Sequence, residues 1–467
     1  MRSAFIQASA VMANSVFAIL LLPYLARMLG PEALGKIDYF VAVSQLLCMV
    51  AGVGLPLYGL REIGAVAHDE LRLKTLVAEL FILNVSMAVL TIAIYIPLAL
   101  FSPILSEEPV LAFVFGLHIP ASVIGMEWAA SGLSAFSFLG IRSIATRLLS
   151  VVGILALVKR PEHYLVYGII TGALFLANQI LTAVWLWSRV RPIFSQLKLT
   201  RHLRPLAFSF ATVLFTRLYI GLDKIMLGLM ATQRALGLYS LSERLIRVAI
   251  ELLGSLSLVL MPQISRLFRQ RSYNVANRIM AYNVSIVLYV CFLAVTLGLL
   301  YADPVLVWFL GGDFEDAVPV FRLGLGVLFC VSLARIWGGH LLYAAGMEKR
   351  YLLSVLISGI LAVGLNLLLI PSMAEQGAML ATLFAEGVGL GLQIVLAGKR
   401  SFSVLGQPSV YQALLVVFAF AVIIIIATGL GIIWVSPIGV LLIAMLFVMI
   451  VVAIVRQVWQ YNHSSSW

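Results

Sequence analysis

Ionisable side chains lie inside apolar stretches of this sequence, where they could bind an anionic ligand or carry a proton. The stretch GLDKIMLG, residues 221–228, sets Asp223 beside Lys224, and Arg217 precedes them. Arg217 and Lys224 are seven residues apart, so two helical turns place them on one helix face, whereas Asp223 points about 100° away from Lys224. Adjacent residues do not face each other on a helix. Each charge therefore needs a partner on another helix, in water or in a ligand.

Four cations are candidates for contact with an anionic substrate. Arg217 and Lys224 share a helix face, and the forked donors of arginine suit phosphate groups. Arg147 and Arg335 lie in other apolar stretches among small or polar neighbours, which let helices approach or leave space for water. For each of these residues the alternative is a structural ion pair with a neighbouring helix.

Carboxylates in the same kind of surroundings are candidates for ion coupling and gating. Glu386, in the stretch FAEGVGLG, could carry a proton across the membrane, and a salt bridge to an arginine is the alternative. Asp223 is the second candidate for ion coupling, with helix packing as the alternative. Arg61 lies at the end of an apolar stretch, where it could form a gate or anchor the chain at the interface. Glu127 and Glu79 lie near the cytoplasmic ends of apolar stretches and could be gate or capping residues.

Other charges are assigned to structure. Arg142 lies at the end of an apolar stretch and is expected to reach the membrane interface with its long side chain. Glu243, Arg244, Arg247 and Glu251 are expected to form a self-paired face, with i,i+4 pairs at 243–247 and 247–251.

The composition indicates the class of protein that must position these residues. Of 467 residues, 62% are hydrophobic and 11% are charged, and the mean hydropathy is +1.08. A soluble domain is about 25% charged. Apolar runs of roughly 20 residues, enough to cross a bilayer as a helix, recur along the chain. The sequence therefore predicts an all-α polytopic membrane protein. Its cysteines lie in apolar segments without metal-like spacing and are interpreted as core residues (Cys48, Cys291 and Cys330).

Charged residues and Gly/Pro interruptions divide the chain into about 14 predicted transmembrane helices. We interpret them as an N-terminal six-helix bundle (1–187), a basic cytoplasmic linker (188–205), a C-terminal six-helix bundle (206–397), and two additional helices with a short tail (398–467). The predicted spans are 4–29, 36–60, 74–101, 109–132, 139–158, 164–187, 206–230, 238–265, 281–308, 318–345, 351–371, 376–397, 411–434 and 437–456.

The distribution of basic residues predicts the orientation in the membrane. With the N-terminus inside, 19 of the 31 lysines and arginines fall on the cytoplasmic side and 5 on the opposite side. Positive charge marks the cytoplasmic side, so both termini are expected to face the cytoplasm. The net charge of +11 is thus a signal of topology, and no nucleic-acid partner is expected.

The two predicted bundles resemble each other in sequence. LGPEALGKIDYF (29–40) follows the first span and MATQRALGLYSL (230–241) follows the seventh; both carry Leu-Gly shortly before an aromatic residue. WAASGLSAF (128–136) and YAAGMEKRY (343–351) hold corresponding glycines, Gly132 and Gly346. Two bundles in the same orientation predict a pseudo-two-fold axis along the membrane normal, with a binding site between the halves.

Several longer stretches resemble one family of membrane proteins. LPYLARMLGPEALGKIDY with GVGLPLYGLREIG, EWAASGLSAFSFLGIRSI, LDKIMLGLMATQRALGLYSLSERL, and LLYAAGMEKRYLLSVLISGILAVGLNLLLIPSMAEQGAMLATLFAEG are similar, in this order, to segments of bacterial Wzx-like oligosaccharide flippases. These belong to the polysaccharide transporter branch of the multidrug/oligosaccharidyl-lipid/polysaccharide exporter superfamily. The similarity covers roughly residues 15–400.

The resemblance implies a V-shaped two-bundle transporter that works by alternating access. Its substrate would be an oligosaccharide on a polyprenyl diphosphate, moved from the cytoplasmic to the outer leaflet of the bacterial inner membrane for O-antigen, capsule or exopolysaccharide synthesis. Implied partners are membrane lipids, a proton or sodium ion for coupling, and the polysaccharide polymerase machinery. No cofactor is implied.

Two other functions are open on the sequence alone. A cation-coupled multidrug exporter would share the fold, and a non-transporting partner of glycan assembly would share the location. The sequence has no phosphate-binding loop, nucleophile elbow or His/Cys metal set. A transporter is therefore expected, and not an enzyme.

Overall fold

The computed structural model describes the backbone of residues 2–195, 197–258 and 260–429. Side chains are described from residue 16 to residue 422, with gaps at 196, 212, 215–220, 255–259 and 261–262. The side chain of Arg217, the start of the first predicted span, the end of the thirteenth and all of the fourteenth (437–456) lie outside the described residues.

The described residues form helices joined by short turns. Short 3₁₀ segments stand at Pro161–His163 and Gly312–Phe314, and a π-helix runs over Ile336–Tyr343. The α-helices, in chain order, are α1 Arg2–Ala51, α2 Leu55–Val66, α3 Glu70–Phe101, α4 Pro103–Glu107, α5 Pro109–Gly116, α6 His118–Gly125, α7 Glu127–Gly132, α8 Phe136–Leu157, α9 Tyr164–Arg189, α10 Thr200–Met230, α11 Gln233–Leu258, α12 Met261–Arg269, α13 Tyr273–Leu310, α14 Ala317–Arg335, α15 Glu348–Ala397, α16 Lys399–Leu405 and α17 Pro408–Gly429.

Among the described residues, eight helical segments are long and apolar enough to cross a membrane. A ninth is formed if α16 and α17, which are bent by 60° at their junction, make one span. The eight are Val16–Ala51, Glu70–Phe101, Pro109–Gly132, Phe136–Leu157, Pro161–Arg189, Tyr273–Leu310, Ala317–Tyr343 and Glu348–Ala397. The prediction of an all-α polytopic membrane protein is confirmed.

Two of the long helices each run across a boundary between two predicted spans. Helices α1 and α15 have 50 residues each and are interrupted by a residue with positive φ, Gly30 at 73° and Ala374 at 45°. A single span needs roughly 20 residues, so the interruptions correspond to the predicted boundaries between spans 1 and 2 and between spans 11 and 12. By contrast, the predicted span 109–132 consists of three short helices, α5 to α7, with Met126 at φ 43° before α7.

The chain forms two compact units, and neither is a continuous stretch of sequence. Unit 1 contains residues 1–245, 303–321 and 359–382; unit 2 contains 246–302, 322–358 and 383–467. Residues 303–321 join unit 1 through polar contacts: Arg27 donates to the carbonyl of Trp308, and Arg234 lies 2.8 Å from Asp316. The division into bundles 1–187 and 206–397 stays a prediction, because these units are defined by contacts and not by repeats.

Within unit 1, the two copies of the Leu-Gly repeat pack directly against each other. A Cβ at Gly35 would overlap the carbonyl oxygen of Gln233, and a Cβ at Gly237 would overlap that of Pro31. Only glycine allows backbones to approach this closely. The sequence similarity between residues 29–40 and 230–241 therefore corresponds to a backbone-to-backbone contact between α1 and α11.

The apolar core of unit 1 includes a cluster where α2, α3, α7, α9 and α10 meet. Gly54, at φ 79°, precedes α2 as its N-cap residue and lies so close to the backbone of Phe210 that a Cβ there would overlap it. The cluster consists of Leu55, Tyr58, Ile63, Leu73, Leu76, Val77, Leu80, Met126, Trp128, Ala129, Leu186, Val190 and Leu206.

In unit 2 the π-helix packs closely against its neighbours. Trp337 donates its indole N–H to the Ser401 hydroxyl at 2.6 Å, which ties the π-helix to α16. A Cβ at Gly338 would overlap the ring of Tyr351 on α15. Because π-helices are rare and concentrate at functional sites, this segment and the residues beside it belong to the candidate site.

Candidate functional site

Asp223 and Lys224 bind two different side chains of α11. The Asp223 carboxylate, 8% exposed, accepts hydrogen bonds from the Tyr239 hydroxyl and from the backbone N–H of Lys224 at 2.9 Å. Lys224 Nζ lies 2.7 Å from Glu243 Oε2. Tyr239 and Glu243 are four residues apart, so they share one face of α11. The adjacent charges of α10 thus find their partners on the next helix.

A second group of charges joins α1, α8, α9 and α11. Arg244 forms an ion pair with Asp38, whose side chain is 4% exposed. The second oxygen of Asp38, Oδ2, is buried and has no hydrogen bond within the described part of the chain. Tyr167 of α9 lies close enough to interact electrostatically with both Arg244 and Arg147. Two arginines from different helices therefore converge on one tyrosine.

Arg147 is the half-buried member of this group. The described side chains and backbone give its guanidinium no hydrogen bond or ion pair, in contrast to Arg244. A guanidinium has five N–H donors. Arg147 therefore has donors available for a ligand or for water.

Arg142, on the same helix as Arg147, is bonded and buried. It lies 3.2 Å from Glu127 and donates to the backbone carbonyl of Asn178 at 2.8 Å, and its side chain is 5% exposed. The expectation that Arg142 reaches the interface is wrong, because the break at Met126 starts a new helix with Glu127 in its first turn, beside Arg142. Glu127, a predicted gate residue, is 47% exposed.

Arg61, the other predicted gate residue, lies on the surface of unit 1. Its side chain is 71% exposed and pairs with Glu62 at 2.9 Å. Its guanidinium lies 5.5 Å from the centre of the Tyr58 ring. Helices α2 and α7, which carry the two gate candidates, pack against each other where Gly59 meets the Trp128 ring.

In unit 2, Arg335 and Glu386 lie beside the π-helix. Arg335, the last residue of α14, lies 2.6 Å from Glu251, and the two side chains are 36% and 57% exposed. Glu386 and Arg335 both lie within electrostatic range of Tyr351. Glu386 is half-buried in α15 and also lies near Cys330.

Several of these partners were missed from the sequence. Asp38 lies in the repeat LGPEALGKIDYF (29–40), and an acidic residue entering an apolar stretch is the signal that identifies it as a candidate. Glu243, Arg244 and Glu251 were expected to pair along α11, yet each has a partner on another helix: Lys224, Asp38 and Arg335. Helical spacing alone does not reveal such contacts.

No group of three or more His, Cys, Asp or Glu that could hold a metal ion occurs among the described residues. The polar groups are instead cations, carboxylates and tyrosines. Such a set can bind an anion through the cations and can exchange protons at the carboxylates.

Solved structures show the same fold. The "Lipid II flippase MurJ, inward closed conformation" has a TM-score of 0.73 at 13% identity, covering 98% of this chain and 99% of that chain. An inward-facing multidrug resistance MATE family transporter of the MOP superfamily has a TM-score of 0.67 at 13% identity, covering 87% of this chain and 99% of that chain.

Sequence comparison gives relatives and a family. A "Putative O-antigen transporter" of Escherichia coli (strain K12) is 22% identical over 396 residues, 82% of this chain and 92% of the relative. One of the same description from Shigella dysenteriae is 22% identical over 353 residues, 72% of this chain and 84% of the relative. The model of the family described as "Polysaccharide biosynthesis protein" matches residues 1–268, more than half of the chain. The chain belongs to this polysaccharide biosynthesis protein family.

Proposed function

We propose that this protein is a flippase that moves polyprenyl-diphosphate-linked oligosaccharide from the cytoplasmic to the outer leaflet of the bacterial inner membrane. Family membership, the O-antigen transporter relatives and the fold shared with a lipid II flippase support a transport function over catalysis. The observation that carries the proposal at the level of residues is Arg147, a half-buried guanidinium without a bonded partner among the described residues.

A diphosphate cannot enter apolar surroundings without compensating charge, because burying an unpaired anion is very costly. Arginine offers planar, forked donors that match phosphate oxygens. Arg147 is available for this contact, and Tyr167 beside it supplies a hydroxyl. Arg244 is neutralised by Asp38, so in this proposal it binds the diphosphate only after that ion pair separates.

The other predicted substrate contacts have weaker support than Arg147. Lys224 is paired with Glu243 at 2.7 Å and Asp223 is bonded to Tyr239, which supports a role in holding α10 to α11 for both. Arg217 precedes them by two helical turns or less and remains a proposed diphosphate contact. Arg335, which forms a partly exposed ion pair with Glu251, is the proposed diphosphate contact in unit 2.

Coupling to an ion gradient is assigned to Glu386. Its carboxylate lies near Tyr351, which also lies near Arg335. A proton or sodium ion bound at Glu386 would neutralise its carboxylate and so change the net charge near Arg335. Binding of the ion and binding of the diphosphate would thereby depend on each other, as coupling requires.

The experiment is glycan export in a bacterial host that lacks its own flippase. Wild-type protein restores surface glycan, and Arg147→Ala at equal membrane abundance loses most of it. The matched control is Arg72→Ala, which removes an arginine that is 78% exposed and pairs with Asp69 at the start of α3. Full export by Arg147→Ala would contradict the proposed contact, and absence of export by wild type would contradict the function.

A cation-coupled multidrug exporter is the second candidate, favoured by the shared fold with the MATE transporter. The buried Asp38 oxygen without a hydrogen bond among the described residues would suit a cationic drug. Resistance to cationic dyes in an efflux-deficient host tests this function. Dye resistance that is lost in Asp38→Asn, with no restored glycan, would select the exporter.

The orientation is also part of the proposal. Basic residues concentrate on the side that we assign to the cytoplasm. A reporter enzyme that is active only in the cytoplasm, fused after residue 467, should therefore be active, and a periplasm-dependent reporter at the same place should be inactive.

A further inference from the structure

Glu79 of α3 is a buried carboxylate that the proposed mechanism does not use. Its side chain is 1% exposed. It accepts hydrogen bonds from three groups of one short segment: the backbone N–H of Lys198 at 2.6 Å, the guanidinium of Arg201, and Nε2 of His202 at 3.0 Å. All three donors belong to the end of the basic linker (188–205) and the first turn of α10.

A second bond fixes the orientation of the histidine ring. The Tyr58 hydroxyl of α2 lies 2.7 Å from Nδ1 of His202, which is 3% exposed. With a proton on Nε2, His202 donates to Glu79 and accepts from Tyr58. The backbone of the linker also contacts α3 directly, because the N–H of Ile193 donates to the carbonyl of Lys74 at 3.3 Å.

The surroundings of Glu79 are apolar. Leu76, Val77 and Leu80 of the same helix are at most 5% exposed and belong to the apolar cluster that also contains Leu55 and Leu206. An apolar side chain would fill this space without the cost of burying a carboxylate. We therefore assign the carboxylate to binding the three donors, which holds the linker in one register against α3.

We propose that Glu79, with Tyr58, Lys198, Arg201 and His202, forms a latch that sets the position of α10. Glu79 is a positioning residue in this proposal, because it acts on transport only through the position of α10, the helix that carries Arg217 in its sequence. The latch is built from groups that can separate: Arg201 is 53% exposed, so its guanidinium can turn to solvent. The transport readout below rests on the proposed function; the cleavage readout does not.

The test is limited trypsin digestion of the full-length protein in detergent. Arg191 and Arg204 precede prolines, which protects their bonds, and Arg189 is the last residue of α9 and has no part in the latch. The cleavable bonds at the latch therefore follow Lys198 and Arg201. Glu79→Gln should raise the initial rate of cleavage at these bonds by about tenfold, because the charge-assisted bonds to the linker are lost. The matched control is Glu70→Gln, which removes a carboxylate of the same helix that is 81% exposed.

Two further variants keep the test decisive if Glu79→Gln fails to accumulate. Tyr58→Phe removes only the hydroxyl that orients His202 and should raise cleavage at the same bonds by a smaller factor. Glu79→Asp keeps a carboxylate and should restore most of the protection and of the glycan export that Glu79→Gln loses.

Unchanged cleavage in Glu79→Gln and Tyr58→Phe would overturn the latch. Faster cleavage in Glu79→Gln with full export would overturn its positioning role. Absence of export by the wild-type protein contradicts the proposed function instead, and the cleavage comparison then decides the latch alone.

Discussion

Helix α8 carries two arginines that lie five residues apart and have different surroundings. Arg142 is 5% exposed, and it bonds to Glu127 and to the carbonyl of Asn178. Arg147 is half-buried and has no hydrogen bond or ion pair within the described part of the chain. An arginine whose terminal nitrogens are bonded to two other helices, as Arg142 is, holds helices together, whereas one without protein partners is available for an anion. Burial alone does not distinguish these roles, but the list of partners does.

The largest effect is expected where a paired cation loses its partner. Glu243→Met leaves Lys224 without its 2.7 Å partner and should lower the free energy of unfolding by about 3 kcal/mol. The double variant Lys224→Met/Glu243→Met should recover most of this loss, because both charges of the ion pair are removed together. Thermal unfolding in detergent measures both. A double variant as unstable as the single one would mean that Lys224 does not depend on this pair.

The next effect concerns transport and not stability. Arg147→Ala should lower glycan export by about tenfold or more, the loss of roughly one charged hydrogen bond to the substrate, with unchanged thermal stability. Export at matched membrane abundance is the measurement. A drop in the unfolding temperature equal to that of Arg142→Ala would assign Arg147 to structure as well.

Arg142→Ala should show the reverse pattern. Two bonds are lost, but Glu127 is 47% exposed and can be hydrated, so the free energy of unfolding should fall by about 1–2 kcal/mol. Export per folded molecule should stay close to that of the wild type. Export that falls more than abundance would make Arg142 part of the transport path.

Glu127→Gln should have the smallest effect. Because the carboxylate is about half exposed, its ion pair contributes less than about 1 kcal/mol, and Arg142 keeps its bond to the Asn178 carbonyl. Stability and export should both change little. A clear loss of export in Glu127→Gln, with stability unchanged, would support the gate role predicted for this residue.

The sequence predicted the helical membrane fold and several of the charges that lie inside it. Apolar runs and their interruptions are local properties, and so Gly30 and the stretch near Ala374 were recognised as boundaries. Helical geometry predicts that Asp223 and Lys224 do not pair with each other and need partners elsewhere, and the structure supplies Tyr239 and Glu243 on the next helix.

The choice of partners could not be predicted. Asp38 pairs with Arg244, which is 206 residues away in the chain. Arg142 was misassigned because the left-handed Met126, which places Glu127 beside it, is not visible in an apolar stretch. Glu79 was considered as a gate or capping residue, and its three donors come from a linker about 120 residues away along the chain. Such contacts depend on how helices pack, which one helix does not reveal.

The discontinuous composition of unit 1 has a consequence for biosynthesis. Residues 1–245 cannot complete their contacts until residues 303–321 and 359–382 have been synthesised. The contacts of Arg27 with Trp308 and of Arg234 with Asp316 can form only after the ribosome has translated the intervening helices. The nascent protein therefore passes through a stage in which inserted helices lack their final neighbours. Chains that terminate before residue 382 should remain incomplete in this unit and become substrates for membrane proteases.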